Sequence, residues 1–249
     1  MLAVILGIFL IQIGYAQPKP PPPPVPPIPP IKIEIGGEGG GFMNAIRIML
    51  LLTILTLAPS ILIMITSFTR IVIVFFFLRQ ALALQQTPPN QVLVGLSLFL
   101  TIYIMGPTLQ DVYKNAYKPY SEAKLNEEGF IGEAIKPFRK FMFAQVREKE
   151  LALFVKLSKS PRPKNKDDVS VFTLIPAFMV SEIKTAFEIG FVLYMPFLVI
   201  DVVIASVLMS MGMLMVPPIM ISLPFKLVVF VAADGWTLLI NSLVRSFRV

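Results

Sequence analysis

The sequence predicts an all-α integral membrane protein with about four hydrophobic helices and a polar helical segment between the second and third. Three observations carry this expectation. Hydrophobic residues make up 55% of the 249-residue chain, and its mean hydropathy is +0.76, more than a soluble domain of this length tolerates. The apolar residues gather into runs that approach the ~20 residues needed to cross hydrocarbon. Finally, ionisable residues stand inside those runs. Glu182, Lys184 and Glu188 open one, Asp201 interrupts it, and Lys226 and Asp234 punctuate its end. Such a group costs roughly 2.5–3.5 kcal/mol on insertion scales. Helices bearing them bury the charges against partners or line a watery path.

The N-terminus begins with Leu2–Ile13, a run too short to span, followed by Gly14, Tyr15 and Ala16. This pattern fits a signal peptide over residues 1–16, with an uncleaved N-terminal helix as the alternative. Residues 17–41 read as a linker. Ten prolines between Pro18 and Pro30 favour an extended polyproline II spacer, and Gly36–Gly41 adds a joint. A role as an SH3-type ligand is the alternative for the prolines.

Ile48–Thr69 carries no charge over 22 residues and predicts the first hydrophobic helix, with Pro59 as a place to kink. Ile71–Leu84 is the second apolar run. Gln85–Gln91 is a turn, Pro89 and Asn90 opening the helix Val92–Met105, which Gly106 and Pro107 close. Asp111–Asp168 is the water-facing part, with 13 of the 22 basic and 9 of the 15 acidic residues. Mixed charge of this kind describes a solvated segment, not a phosphate-binding stripe, so the net +7 of the chain does not imply nucleic acid. Within it Phe138, Phe141, Met142, Val146, Leu151, Phe154 and Val155 recur at three- and four-residue steps, an amphipathic helix, and Ser158–Asp168 reads as an exposed loop. Val169–Met195 is the next apolar segment, where Pro196 should bend or break the chain. Phe197–Val216 follows, with Ser206 and Ser210 spaced for close helix approach. Leu223–Val244 is the last helix. Cleavage after Ala16 would place the mature N-terminus, the polar segment and the C-terminus outside the cytoplasm, with Arg70 and Arg79 near an inner turn.

Histidine and cysteine are absent. Disulfides, thiolate nucleophiles, Cys/His zinc sites and histidine triads are thereby excluded. No phosphate-binding glycine loop is present, and no enzymatic role or cofactor is expected. Met209, Met211, Met213 and Met215 alternate around Gly212, just before Pro217 and Pro218. Alternation scatters side chains about 200° apart on a helix but keeps them on one side of an extended segment. Two readings stay open: a flexible methionine seal in a non-helical segment lining a cavity, or ordinary packing. The embedded charges likewise read either as intersubunit ion pairs or as a proton relay. Interrupted helices at Pro196, Pro217-Pro218 and Pro224 also suit a proton-coupled secondary transporter of a small solute, with Glu188 or Asp201 as carrier. Few crossings and no matched interrupted segments in two halves count against it.

Six strings then point to a family. Thr66–Val74 (TSFTRIVIV), Pro88–Gly95 (PPNQVLVG), Ser181–Phe191 (SEIKTAFEIGF), Pro196–Asp201 (PFLVID), and Leu223–Leu227 (LPFKL) with Asp234–Trp236 (DGW) closely resemble the FliP family, in order, from about Phe42 to Val249. The resemblance implies a core, channel-forming subunit of the flagellar type III protein export gate, at the basal body in the bacterial inner membrane, related to injectisome subunits. It implies a homo-oligomer of five copies with FliQ-type and FliR-type subunits and FlhA/FlhB-type export components, passing unfolded protein substrates. It further implies helical hairpins over residues 42–106 and 171–249 flanking a polar helical region, 107–170, in a cone partly raised above the lipid. The family's methionine gasket corresponds to Met213, Leu214 and Met215, with leucine in place of the usual middle methionine; Met209 and Met211 lie beside it. Arg70, Glu182, Lys184, Glu188, Asp201, Lys226 and Asp234 are then the charges expected to join subunits.

Overall fold

The structure is a computed structural model that describes residues 41–158, 163–213 and 215–248. The expected signal peptide, nearly all of the linker, and Leu214 lie outside the described residues. The chain divides into two compact units, Met1–Leu51 and Leu52–Val249. Described residues of the first unit are the opening turns of α1 (Gly41–Met64). Uncharged after Arg47, α1 supplies a 22-residue apolar stretch, Met43–Met64, long enough to cross a membrane, and none of that stretch is buried.

All regular structure among the described residues is helical. The expected first helix, Ile48–Thr69, instead starts earlier and stops at Met64, and α2 (Phe68–Ala81) follows at once. The break falls on Thr66, whose hydroxyl donates to the Ile63 carbonyl at 3.2 Å and accepts from the Phe68 N–H at 3.5 Å. Such side chains compete with the helical ladder. After the turn, α3 (Asn90–Ile104) begins where Pro89 and Asn90 predict it. It bends by 58° into a run made of α4 (Gly106–Val112), a π-turn (Tyr113–Tyr117) and α5 (Lys118–Ser121). The expected amphipathic helix is two: α6 (Glu127–Gln145), capped by Asn126 accepting from the Gly129 N–H at 2.8 Å, and α7 (Glu148–Leu157). Val146 and Arg147 are extended between them. A 3₁₀ turn, Lys166–Asp168, precedes α8.

The largest departure from expectation is α8 (Val171–Ser210). It is one 40-residue helix that passes through Pro196 without ending, where the sequence suggested two segments. A proline removes one backbone donor. In a long apolar helix the bonds on either side carry the chain through, and such prolines are tolerated. At ~1.5 Å per residue α8 is about 60 Å long, roughly twice the hydrocarbon thickness. The last expected helix departs in the opposite sense. It starts at Pro218, breaks at Ala233–Asp234, and resumes at a 66° bend, giving α9 (Pro218–Ala232) and α10 (Gly235–Arg245). Proline at the first helical position has no N–H to waste there. Asp234 turns the chain with φ +49°. Gly235 is required beside it, because a Cβ there would stand 2.2 Å from the Phe230 ring. Among the described residues, two helices are long and apolar enough to cross a membrane, α1 and α8, or up to four if each bent pair is one span.

Within the unit Leu52–Val249 the core forms around α2. Ile71, Val74, Phe75 and Leu78 repeat at three- and four-residue steps and are buried. They pack with Leu93 of α3, Leu174 and Phe178 of α8, and Leu239 and Leu243 of α10 in one cluster. At Gly190 of α8 a Cβ would lie 2.5 Å from the Phe77 ring, so this glycine is what lets α2 and α8 approach. Ser206 and Ser210, expected to serve such an approach, are exposed, their hydroxyls bonded to their own helix at the Val202 and Val207 carbonyls.

Candidate functional site

The embedded charges define the site from the residues upward, because each must find a partner where water is scarce. Arg70, on the first turn of α2, is 2% exposed and Glu182 is fully buried. Arg70 Nε and Nη2 donate to the two Glu182 carboxylate oxygens at 2.8 and 2.5 Å, a bidentate pair. Nη1 donates to the Ser246 carbonyl and hydroxyl at 2.9 and 3.0 Å, and Nη2 also reaches Gln145 Oε1 at 3.4 Å. The guanidinium lies 3.9 Å from the Phe247 ring centroid. One side chain thus ties α2, α6, α8 and the segment after α10 together. Gln145 completes the knot by donating to the Arg248 carbonyl at 2.9 Å.

Two further pairs clasp α7 and the α6–α7 joint onto α8. Arg147 donates to both oxygens of Glu188, and its Nη2 to the Thr185 hydroxyl at 3.0 Å. Its backbone N–H, freed by the extended joint, donates to Ser181 Oγ at 3.0 Å. Lys184 Nζ donates to Glu150 Oε1 at 3.0 Å, while Oε2 of this buried carboxylate has no partner among the described residues. The Lys184 ammonium holds the Glu150 carboxyl below its ordinary value, and the Glu188 carboxylate holds Arg147 above its own. Lys184 and Glu188, four residues apart on one helix face, therefore pair with α7 and the joint before it, not with each other.

The third node sits between α8, α9 and the end of α2. Lys226, 1% exposed, donates from Nζ to Asp201 Oδ2 at 2.6 Å and to the Ala81 carbonyl at 3.1 Å. Ser222 Oγ donates to the other Asp201 oxygen at 2.6 Å. Asp201 and Ser222 lie within three turns of the ends of α8 and α9 that carry the methionine connection. In that connection the chain leaves the helix at Met211 and turns through Gly212 with φ +76°. Met209, Met211, Met213 and Met215 are all exposed, Met215 at 95%. Met209 lies in the last turn of α8, whereas the chain is non-helical at Met211, Met213 and Met215; Leu214 lies outside the described residues.

The family resemblance implied that these charges join subunits. Within the chain itself Arg70, Glu182, Lys184, Glu188, Asp201 and Lys226 already have partners. Asp234 makes no ion pair among the described residues; it sits exposed at the N-terminus of α10, where a carboxylate suits the helix dipole. Glu150, Arg147, Gln145 and Ser222 complete the site and were not singled out from sequence. Their signal is weak: polar residues among many in a mixed segment, or one serine in an apolar helix. No cluster of acidic residues fit to hold a metal exists among the described residues.

Fold and site together define an all-helical membrane protein in which paired charges tie one long helix to α2, α7, α9 and the α6–α7 joint. Comparison with known proteins narrows the class. The chain belongs to the FliP family, whose model matches residues 51–243. It is 50% identical over 217 residues to the flagellar biosynthetic protein FliP of Bacillus subtilis, covering 87% of this chain and 98% of the relative. It is 54% identical over 203 residues to that of Buchnera aphidicola from Acyrthosiphon pisum, 82% of this chain but 54% of that longer protein. It is 49% identical over 217 residues to that of Borreliella burgdorferi, covering 86% and 85%.

Proposed function

We propose that this chain is a channel-forming subunit of the flagellar type III protein export gate, passing unfolded substrates across the bacterial inner membrane. Membership of the FliP family and relatives named for flagellar biosynthesis support the flagellar role. The observation that carries the channel reading is the exposed methionine connection mounted on the Asp201–Lys226–Ser222 node. Flexible, polarizable side chains on a non-helical segment suit a surface that closes on itself and opens for varied polypeptides. In this reading Met213, Leu214 and Met215 form the seal, with Met209 and Met211 beside it.

Several copies and partner subunits of the FliQ, FliR and FlhA/FlhB types cover the apolar faces that α1, α8 and α9 leave open, and both termini face away from the cytoplasm. Against the rival transporter reading count the partners of its two carrier carboxylates: Asp201 is engaged by Lys226 and Ser222, and Glu188 by Arg147. Extraction in mild detergent tests the proposal. A large multi-subunit particle is expected. A monodisperse single chain that takes up solute in liposomes would replace the gate with the transporter.

A further inference from the structure

Of the 13 methionines, those at 209, 211, 213 and 215 occupy every second position. The proposed seal uses only their apolar flexibility; their sulfurs carry a second chemistry. Hydrogen bonds set the backbone that holds them. Gly212, at φ +76°, donates its N–H to the Met209 carbonyl at 3.0 Å, and Met213 donates to the Leu208 carbonyl at 3.0 Å. These are the paired bonds of a Schellman cap, which ends α8 and fixes the chain as far as Met213. The Val216 N–H then reaches the Met213 carbonyl at 3.5 Å, closing a turn that carries Met215. Met211, Met213 and Met215 are exposed on this frame, whereas Met105 and Met142 are buried in the core. Neighbours in this set are two residues apart, so their Cα atoms stand within about 7 Å. Flexible side chains so placed can bring their sulfurs to one point.

Thioether sulfur is a neutral, soft donor. It suits neither magnesium nor calcium, which take oxygen, nor zinc, which takes thiolate, imidazole or carboxylate. Soft ligands of this kind select Cu(I), and Ag(I) shares its charge, filled d shell and softness. No harder ligand competes nearby in the chain. Histidine and cysteine are absent, and the nearest carboxylate in sequence, Asp201, is engaged by Lys226 and Ser222. We propose that Met211, Met213 and Met215 form a binding site for a soft monovalent cation, Cu(I) or Ag(I), held by their three sulfurs. An ion bound there draws three side chains together and stiffens the connection. A single chain supplies the ligands, so the site does not depend on the channel reading.

The probe is Ag(I), which needs no reductant, added as the nitrate in chloride-free buffer to the full-length chain in detergent. Binding is measured as silver retained after free ion is removed, over a series of concentrations. Met211→Leu, Met213→Leu and Met215→Leu combined keep volume and apolar character and remove only sulfur, so the fold is expected to survive. This triple variant should bind Ag(I) about tenfold more weakly or worse. Met43→Leu with Met49→Leu, which removes two exposed methionines of α1, should bind it as the wild type does. X-ray absorption at the silver edge of the wild-type protein should show sulfur alone around the ion, a reading that holds even if the triple variant does not fold. Equal affinity in a folded triple variant would overturn the proposal. So would an ion surrounded by nitrogen or oxygen, or Zn(II) bound as tightly as Ag(I).

Discussion

Arg70 shows how much of this molecule hangs on single ionised groups. Its guanidinium is the shared partner of Glu182, Gln145 and Ser246, so removing Glu182 leaves a charge that neither water nor another carboxylate can reach. Glu182→Ala is expected to cost about 3–5 kcal/mol, read as a lowered midpoint for thermal unfolding in detergent. A midpoint within experimental error of wild type would show that the pair is not desolvated. Glu150 gives a pH-dependent counterpart. Its carboxyl is held down by Lys184 in the folded chain, so the stabilising contribution is complete above the ordinary glutamate value and is lost as pH falls through the lowered folded value. The stability difference between wild type and Glu150→Gln should therefore be constant near neutrality and shrink in acid; a difference that grows in acid would reverse the assignment. At this scale the sequence revealed the charges but not their partners. Lys184 and Glu188 stand four residues apart on one helix, yet their partners lie 34 and 41 residues away. One chain's periodicity does not reveal which helix will cover a face.

Helix positions were legible where apolar runs and turn residues agreed, as at Pro89 and Asn90, and misjudged where proline was weighed alone. Pro196 interrupts nothing, because both flanks of α8 favour helix and lose a single hydrogen bond between them. The breaks that matter come from other causes: Thr66 bonding its own backbone, Arg147 donating its N–H to Ser181, and Asp234 with Gly235 yielding to the Phe230 ring. The close approach of α2 and α8 was equally hidden, since the chain marks it with one glycine and not with the serine pair. Gly190→Ala should cost about 1–3 kcal/mol by overpacking against Phe77. Adding Phe77→Leu should recover part of that loss, as measured by a double-mutant cycle on thermal stability. Strictly additive effects would mean that the two residues do not meet.

Among the described residues, Arg70, Glu182 and Lys226 are buried with their partners, and large apolar side chains of α1, α8 and α9 are exposed. That division explains why charges tolerated here would be costly on an isolated span: the chain neutralises them itself and leaves apolar surface for whatever surrounds it. The all-helical class and the family were legible from composition and from short strings. The number of crossings was not, because a helix twice the hydrocarbon thickness and two bent pairs look like ordinary spans in a hydropathy pattern. The central claim is that the methionine connection, seated on the Lys226 node, seals a protein-conducting path. Ion conductance across membranes carrying the assembled complex tests it most directly, comparing wild type with Met213→Ala and Met215→Ala combined. The account predicts a marked rise in leak with unchanged yield of the complex. Conductance equal to that of wild type, from a complex formed in normal amount, would contradict it.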